Sequence, residues 1–257
     1  MAHHFRARLR RRETLIGTLV SLPGPESAEL LAGVGFDWLF VDGEHGAIET
    51  RELAGILQAV GHRIPCLVRV AEAAAVPIAR ALDLGADGVI VPQVNSAQQA
   101  AQAVSWARYA PEGSRGVGLG RAQGYGVTLR DHLATANREV AVVVQAEHAR
   151  AVEEIEAIVR VPGVDAVLLG PYDLSASLGR MGETSHPIVV QAIDRVIAAC
   201  QAVEMPIGCF GMTAAAVQPF ITRGCTLVVA GSDALHLATG ATALLRELPG
   251  GLGHAAG

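Results

Sequence analysis

Side chains of the kinds used in catalysis recur where short apolar runs of the sequence end. Asp42 and His45 close the second run, Arg69 ends the third, and Glu147 and Asp173 follow the fifth and sixth. Two carboxylates from adjacent strands suit a hard divalent cation such as Mg²⁺ or Mn²⁺ and leave positions for water and a chelating substrate. Zinc held by His and Cys fits poorly, because only one His lies at such an end and no Cys accompanies it.

Each of these residues also has a structural interpretation. Glu147 and Asp173 can pair with arginines in a structural network, and His45 can be a satisfied loop histidine. Arg69 can bridge layers of core side chains, and Gln93, which follows the fourth run, can cap a loop. The residue types alone leave both interpretations open.

The basic residues exclude several kinds of chemistry. All 20 are Arg, and the chain has no Lys. Schiff-base chemistry on a side-chain amine is therefore impossible, either with a carbonyl substrate or with pyridoxal phosphate. A phosphate-binding loop that needs Lys is excluded as well. The formal net charge of −5 gives no indication of a nucleic-acid partner.

The 4 cysteines are Cys66, Cys200, Cys209 and Cys225, and no two have the spacing of a zinc or redox pair. They are typical of small buried hydrophobic residues in a reducing compartment, which favours the cytoplasm. No apolar segment resembles a signal peptide or a bilayer span, because the longest, 205–222, is broken by prolines and glycines. We therefore expect no membrane partner.

Eight short, nearly continuous apolar runs predict strands buried on both faces of a parallel sheet. They are 15–21, 38–42, 65–70, 88–94, 140–147, 166–170, 206–210 and 227–230. The segments between them have helical patterns, at 27–34, 53–60, 76–84, 97–107, 151–159, 188–203, 213–223 and 233–245. Eight such units in 257 residues predict a single-domain (β/α)₈ TIM barrel, with a doubly wound open sheet as the alternative.

In such a barrel the chemistry lies at the carboxyl ends of the strands, where the polar residues above fall. Two connections are long, 111–138 and 174–204, and extra length at the catalytic face is typical of a substrate loop or lid. We expect residues 1–12 to be a solvated Arg-rich lead-in segment, 13–248 to form the barrel, and 249–257 to be a flexible tail.

Six segments together carry a family resemblance. They are FDWLFVDGEHGAIE (36–49), LVRV (67–70), GVIVPQVNSAQQA (88–100), RYAPEGSRGVG (108–118), VVVQAEHARAVEEIEAI (142–158) and VDAVLLGPYDLSASLG (164–179). The chain resembles the 4-hydroxy-2-oxoheptanedioate and 2-dehydro-3-deoxyglucarate aldolase family, within the citrate-lyase β-like barrels. The resemblance spans about residues 13–247, and the combination of VDGEH, RGVG and GPYDLS is specific to it.

The resemblance implies a (β/α)₈ barrel with class II aldolase activity, dependent on Mg²⁺, Mn²⁺ or Co²⁺. The donor would be pyruvate or hydroxypyruvate, reacting as its enolate, and the acceptor an aldehyde. With no Lys to form an iminium, the metal would be the electron sink. The resemblance also implies a homo-hexamer, a dimer of trimers, with the C-terminal helix exchanged between neighbouring subunits.

The resemblance assigns roles to individual residues. Glu147 and Asp173 match the metal ligands, His45 the acid/base residue, Arg69 the contact to the donor's keto oxygen, and Asp42 the acid beside the histidine. An acid that reaches the histidine of an adjacent subunit is matched by Asp83. Substrate contacts are expected from Arg69, Gly170, Tyr172, Asp173, Gln93, Phe210 and Arg121, with backbone amides around Tyr172 and Asp173 on the donor carboxylate.

One segment departs from the family pattern. Residues 119–126, LGRAQGYG, form a shorter loop than is usual, and Tyr125 stands where we expect Trp. Because this loop helps to receive the acceptor, the aldehyde is not identified from the sequence. Three other functions stay open: a metal-dependent oxaloacetate-type decarboxylase, a CoA-ester lyase, and a non-catalytic barrel.

Overall fold

The structure is a computed structural model that describes residues 4–248. Eight parallel strands pair in chain order and the last pairs with the first, so the sheet closes into a barrel. The strands are β1 Leu15–Val20, β2 Trp38–Asp42, β3 Cys66–Arg69, β4 Gly88–Val91, β5 Ala141–Ala146, β6 Ala166–Leu169, β7 Ile207–Gly211 and β8 Leu227–Ser232. All eight predicted strands and the (β/α)₈ barrel are confirmed, and the open-sheet alternative is wrong.

The apolar residues of the strands divide between two cores. Every other side chain points into the barrel, where Phe40, Leu67, Ile90 and Val143 belong to one buried cluster. The alternate side chains, such as Val41, pack outward against the helices in a second and larger cluster. Burial on both faces is why these strands are continuously apolar until their carboxyl ends.

The helices alternate with the strands and surround the barrel. Within residues 4–248 they are α1 Phe5–Arg10, α2 Pro25–Leu31, α3 Thr50–Val60, α4 Ala75–Asp83, α5 Ala97–Ala107, α6 Leu129–Glu139, α7 Ala149–Glu153, α8 Ile155–Ile158, α9 Pro171–Ser177, α10 Pro187–Ala202, α11 Ala214–Thr222 and α12 Asp233–Glu247. The predicted helix 151–159 is two short helices that meet at Glu154, and α1, α6 and α9 are additional to the sequence prediction.

The interpretation of residues 1–12 as a solvated lead-in segment is wrong for Phe5, Arg6 and Leu9, whereas Arg10, Arg11 and Arg12 are exposed. Phe5 and Leu9 lie one helical turn apart on α1 and are buried in the interior cluster of the barrel. The side chain of Arg6 is also buried, and its Nε donates to both carboxylate oxygens of Asp165 at 2.8 and 2.9 Å. The first helix therefore closes the amino-terminal end of the barrel.

The expectation that the long connection 111–138 lies at the catalytic face is also wrong. This segment follows α5, which runs back from the carboxyl ends of the strands to their amino ends, and it precedes β5. It contains α6, which contacts α1 at the amino-terminal end of the barrel. The other long connection, 174–204, follows β6 directly and does begin at the catalytic face with α9.

The C-terminal helix carries an exposed apolar surface. The side chains of Leu237, Leu244 and Leu245 on α12 are exposed, as is Leu248 directly after it. The predicted tail at 249–257 lies outside the described residues. No helix in residues 4–248 is long and apolar enough to cross a membrane.

Candidate active site

Arg69 stands at the carboxyl end of β3 and is held by two acids from the end of β2. Its Nε and Nη2 donate to Oδ1 and Oδ2 of Asp42 at 2.9 and 2.8 Å, and its Nη1 lies 3.2 Å from Oε2 of Glu44. The guanidinium also lies over the ring of Phe40, with 5.3 Å between its central carbon and the ring centroid. In-register pairing of Asp42 with Arg69 across the two strands brings these groups together.

Asp42 also fixes the loop that carries His45. Its Oδ1 accepts hydrogen bonds from the backbone N–H groups of Glu44 and His45, at 3.1 and 3.3 Å. Burial raises the pKa of Asp42, but Arg69 and, to a smaller extent, these two bonds outweigh it and hold the pKa below its usual value. Asp42 therefore contacts the backbone of His45 and not its ring.

The imidazole of His45 is open to solvent, with 69% of its side chain exposed. Its nearest acidic contact within the chain is Glu44, whose Oε2 lies 3.8 Å from Nε2. An exposed ring at the mouth of a barrel is accessible to a substrate and free to exchange a proton with it.

Glu147 follows β5 and is the most deeply buried acid of the site, with 3% exposure. Its Oε1 accepts from the backbone N–H of Gln93 at 2.8 Å, and its Oε2 contacts the side-chain amide of Gln145. The pKa of Glu147 is raised to about 7, chiefly by burial, with a contribution from the charges of Glu44 and Asp173 and an opposing effect from Gln93 and Arg69.

Two predicted substrate-contact residues, Gly170 and Gln93, lie against the side chain of Glu147. Gly170 leaves room for it, because a Cβ at that position would lie 2.7 Å from the Cβ of Glu147 and 3.0 Å from its Oε2. Gln93 adopts a left-handed backbone conformation, with φ of 54°. Its backbone N–H donates to the Glu147 carboxylate, while its own side chain is exposed. Both residues therefore act on the carboxylate, whatever they contribute to substrate binding.

Tyr172 and Asp173 lie in the first turn of α9, directly after β6. Backbone N–H groups in the first turn of a helix have no intrahelical acceptor, so they are available to an anion. Asp173 is exposed at this end and lies close enough to Glu147 and Glu44 for its charge to raise the pKa of both. Phe210, near the end of β7, is partly buried and packs on the interior cluster at the same mouth.

Two predicted residues lie at the opposite end of the chain's own barrel. Asp83 ends α4, which runs from the carboxyl end of β3 back to the amino end of β4. Arg121 donates from Nη1 to the backbone oxygen of Leu84 at 2.9 Å, beside Asp83. Arg121 also lines two cavities of about 570 and 550 Å³ on this side of the molecule. Neither residue reaches His45 of its own chain.

A family model described as HpcH/HpaI aldolase/citrate lyase matches residues 16–239. The chain belongs to this family. It is similar to a 2-dehydro-3,6-dideoxy-6-sulfogluconate aldolase of Pseudomonas putida, with 41% identity over 94% of this chain and 95% of that protein. It is also similar to a hydroxypyruvate/pyruvate aldolase of Cupriavidus necator, with 37% identity over 95% of this chain and 93% of the relative.

A solved HpcH/HpaI aldolase/citrate lyase family protein from Burkholderia cenocepacia has the same fold. Its TM-score is 0.91 at 38% identity, covering 95% of this chain and 98% of that one. The family resemblance stated from the six segments is therefore confirmed. The prediction of a carbon–carbon lyase is confirmed too, because the relatives named above are aldolases.

Two residues of this HpcH/HpaI site were not among the predicted functional residues. Glu44 reaches Arg69, and burial raises its pKa. Gln145 projects into the barrel two residues before Glu147, and its Oε1 is buried without a hydrogen-bond partner in the described residues. The segments VDGEH and QAE could have indicated both residues. Residues two positions apart along an extended segment point to the same side, so Glu44 is expected on the side of Asp42 and Gln145 on the side of Glu147.

The donor set at the mouth suits a hard divalent cation. Asp42, Glu44, Glu147 and Asp173 supply four carboxylates, of which Arg69 contacts Asp42 and Glu44, and the imidazole of His45 lies 3.8 Å from Glu44. Carboxylate oxygen atoms are the ligands that Mg²⁺ and Mn²⁺ prefer. No group of three or more His, Cys, Asp or Glu side chains within 4–248 is arranged to hold a metal, so protein ligands alone would leave its coordination incomplete.

Proposed function

We propose that this chain is a divalent-metal-dependent class II aldolase that makes or cleaves 4-hydroxy-2-oxo acids. Pyruvate or hydroxypyruvate would be the donor and an aldehyde the acceptor. The observation that carries the proposal is the buried Glu147, which faces Asp173, Glu44 and Arg69 at the catalytic end of the barrel. The aldolase relatives support small 2-oxo acid and aldehyde substrates.

Glu147 and Asp173 would hold the cation, which we expect to be Mg²⁺, Mn²⁺ or Co²⁺. When bound, a divalent cation supplies Lewis-acid polarisation of a chelating 2-oxo acid. Gln93 and Gln145 would keep the Glu147 carboxylate in place, through the two contacts described above. Hydrogen bonds to a metal-binding carboxylate fix its orientation.

Arg69 would donate a hydrogen bond to the keto oxygen of the donor. In cleavage the C3–C4 bond breaks, and its electron pair passes into the donor, which becomes an enolate with negative charge on this oxygen. Asp42 and Glu44 fix the guanidinium before the substrate arrives, so little reorganisation is needed as the charge develops.

His45 would take the proton from the 4-hydroxyl group in cleavage and return it in synthesis. Loss of this proton converts the hydroxyl-bearing carbon into the carbonyl of the leaving aldehyde, while the enolate is protonated at C3 to give the free donor. The solvent-exposed ring supports this role, because acceptors of different size can approach it.

We also propose that the active site is shared between subunits of a homo-hexamer arranged as a dimer of trimers. Asp83 would approach His45 of a second copy, since it lies at the far end of its own barrel. The exposed leucines of α12 support exchange of that helix between neighbours, because burial against a second chain would remove their apolar surface from water.

The cytoplasm is the compartment that we propose. All four cysteines are free and buried. Burial raises the pKa of the Cys66 and Cys200 thiols, so they are inert small hydrophobic groups and not candidate disulfide partners. Free thiols of this kind are typical of a reducing environment.

The first test measures exchange of the methyl protons of pyruvate with D₂O. Metal-stripped protein is incubated with pyruvate, with and without Mg²⁺ or Mn²⁺, and a chelator stops the reaction before NMR. We expect exchange only with metal, and none in Glu147→Gln under the same conditions. Absence of exchange with pyruvate and hydroxypyruvate under every metal would overturn the proposal and favour a CoA-ester lyase or a non-catalytic barrel.

A further inference from the structure

The carboxylate of Asp83 is held through only one of its two oxygen atoms. Oδ1 accepts hydrogen bonds from Nη2 of Arg115 at 2.6 Å and from Nε2 of Gln123 at 3.0 Å. Within residues 4–248, no group donates to Oδ2. The Asp83 side chain is 31% exposed, whereas that of Arg115 is fully buried behind it. The carboxylate is therefore anchored from inside and presents one oxygen outward.

Arg115 is itself held in a single position. Its guanidinium stacks on the ring of Tyr109, with 4.5 Å between the central carbon and the ring centroid. Its Nε and Nη1 are buried and make no hydrogen bond with the described residues. A buried arginine that leaves two donors unused is costly to keep, so its contact with Asp83 needs an explanation beyond the stability of the chain.

The second donor is equally constrained. Gln123 is fully buried, and its Nε2 also donates to the hydroxyl oxygen of Tyr109 at 2.9 Å. Tyr109 is fixed in turn by Asn137, which accepts from its backbone N–H at 2.8 Å and donates to its backbone oxygen at 2.9 Å. Arg115, Gln123 and Tyr109 thus form a rigid support, which we call the Asp83 clamp.

We propose that Arg115 and Gln123 are positioning residues that present Oδ2 of Asp83 to His45 of a second copy of this chain. This inference rests on the proposed function, in which the active site is shared between subunits. The clamp belongs to the segment after α5 that lies at the amino-terminal end of the barrel. The 111–138 connection would therefore serve catalysis at a neighbour's mouth and not at its own.

Complementation between inactive variants tests the inference. Two chains with different tags are co-expressed and the mixed assemblies are purified through both tags. We expect assemblies that mix His45→Ala chains with Asp83→Asn chains to regain about a quarter of the wild-type rate of aldol cleavage. In random mixtures, that share of sites combines an intact histidine from one chain with an intact aspartate from the other. Mixtures of His45→Ala chains with Arg115→Ala chains should regain a similar share. Mixtures of Asp83→Asn chains with Arg115→Ala chains should regain none, because neither chain carries both residues intact.

The separate variants give a second readout. Because Arg115 is fully buried behind Asp83 and would act on the histidine only through it, without touching the donor, Arg115→Ala should lower kcat by about 10- to 100-fold with little change in the donor KM. Adding Asp83→Asn should cause no further loss, since both changes act on one group. Gln123→Ala should give a smaller loss in the same direction. Arg195→Gln, which removes an exposed ion pair with Glu156, is the matched control.

The outcomes separate the two proposals. Failure of His45→Ala to complement Asp83→Asn would overturn the shared site and the clamp with it. Success of that pair, with Arg115→Ala failing to complement His45→Ala while it remains folded and assembled by size-exclusion chromatography, would overturn the clamp alone. If Arg115→Ala does not fold, the same comparison with Gln123→Ala decides the question.

Discussion

Arg69 and Asp42 are joined by two N–H···O bonds, which run from Nε and Nη2 on one edge of the guanidinium to the two oxygens of the carboxylate. Both side chains are about nine-tenths buried, and the ends of adjacent strands supply them. Such bidentate pairs fix direction as well as charge. The remaining nitrogen, Nη1, is consequently held toward Glu44 and the centre of the mouth.

Arg69→Lys keeps a positive charge at this position but removes the planar guanidinium whose orientation Asp42 fixes. A lysine cannot bind both oxygens of Asp42 while it contacts the substrate, so we expect kcat/KM for aldol cleavage to fall by roughly 10²-fold. Loss of the buried bidentate pair should lower the free energy of unfolding by about 1–3 kcal/mol. Steady-state kinetics and chemical denaturation measure the two effects, with Arg195→Lys at an exposed ion pair as control. An unchanged kcat/KM would contradict the role of Arg69.

Glu147→Gln and Asp173→Asn should each abolish metal-dependent turnover, because each removes one of only two proposed protein ligands. Glu147→Gln should nevertheless make the metal-free protein more stable near pH 8, by about 1–3 kcal/mol, since it replaces a desolvated carboxylate with a neutral group. Thermal unfolding with and without Mg²⁺ checks both statements: the cation should stabilise the wild type and neither variant. Wild-type rates in either variant would contradict the ligand assignment.

The pH dependence of cation binding should follow Glu147. Its pKa in the folded protein is raised from 4.5 to about 7. The folded protein therefore keeps this proton over a pH range in which the unfolded chain has released it, and stability from this group is lost as pH rises through that range. A cation must displace the proton, so we expect its affinity to weaken progressively as the pH falls below about 7. Calorimetry in buffers of different ionisation enthalpy should show proton release near pH 6 and little near pH 8.

Most of the barrel was predictable, because each strand is buried on both faces and therefore stands out as an apolar run. The polar residue that ends such a run is then placed at the catalytic mouth by the fold itself. This logic brought Asp42, Arg69, Glu147 and Asp173 to one end of the molecule, where the structure also has them.

The sequence does not predict the location of a segment when that location depends on residues far away in the chain. Phe5 and Leu9 are two apolar residues among arginines, and only the open end of a closed barrel gives them a place to be buried. The length of the 111–138 segment indicates a loop but not the end of the barrel at which it lies, because that depends on the direction of α5. The clamp on Asp83 joins residues up to 40 positions apart, and no local pattern indicates it.

His45→Ala tests the acid/base assignment without disturbing the metal site. Its ring is solvent-exposed and makes no contact with Glu147 or Asp173 among the described residues. We therefore expect cation affinity and thermal stability to stay close to those of the wild type. Cleavage of a 4-hydroxy-2-oxo acid should fall by about 10²- to 10⁴-fold, the range typical of a lost general base. Calorimetric titration with Mg²⁺ and a coupled assay for pyruvate measure the two quantities, with His62→Ala at an exposed position as control. A variant that also lost the cation would show that His45 is a ligand, whereas one that kept full activity would move the proton transfer to another group, with Glu44 the nearest candidate.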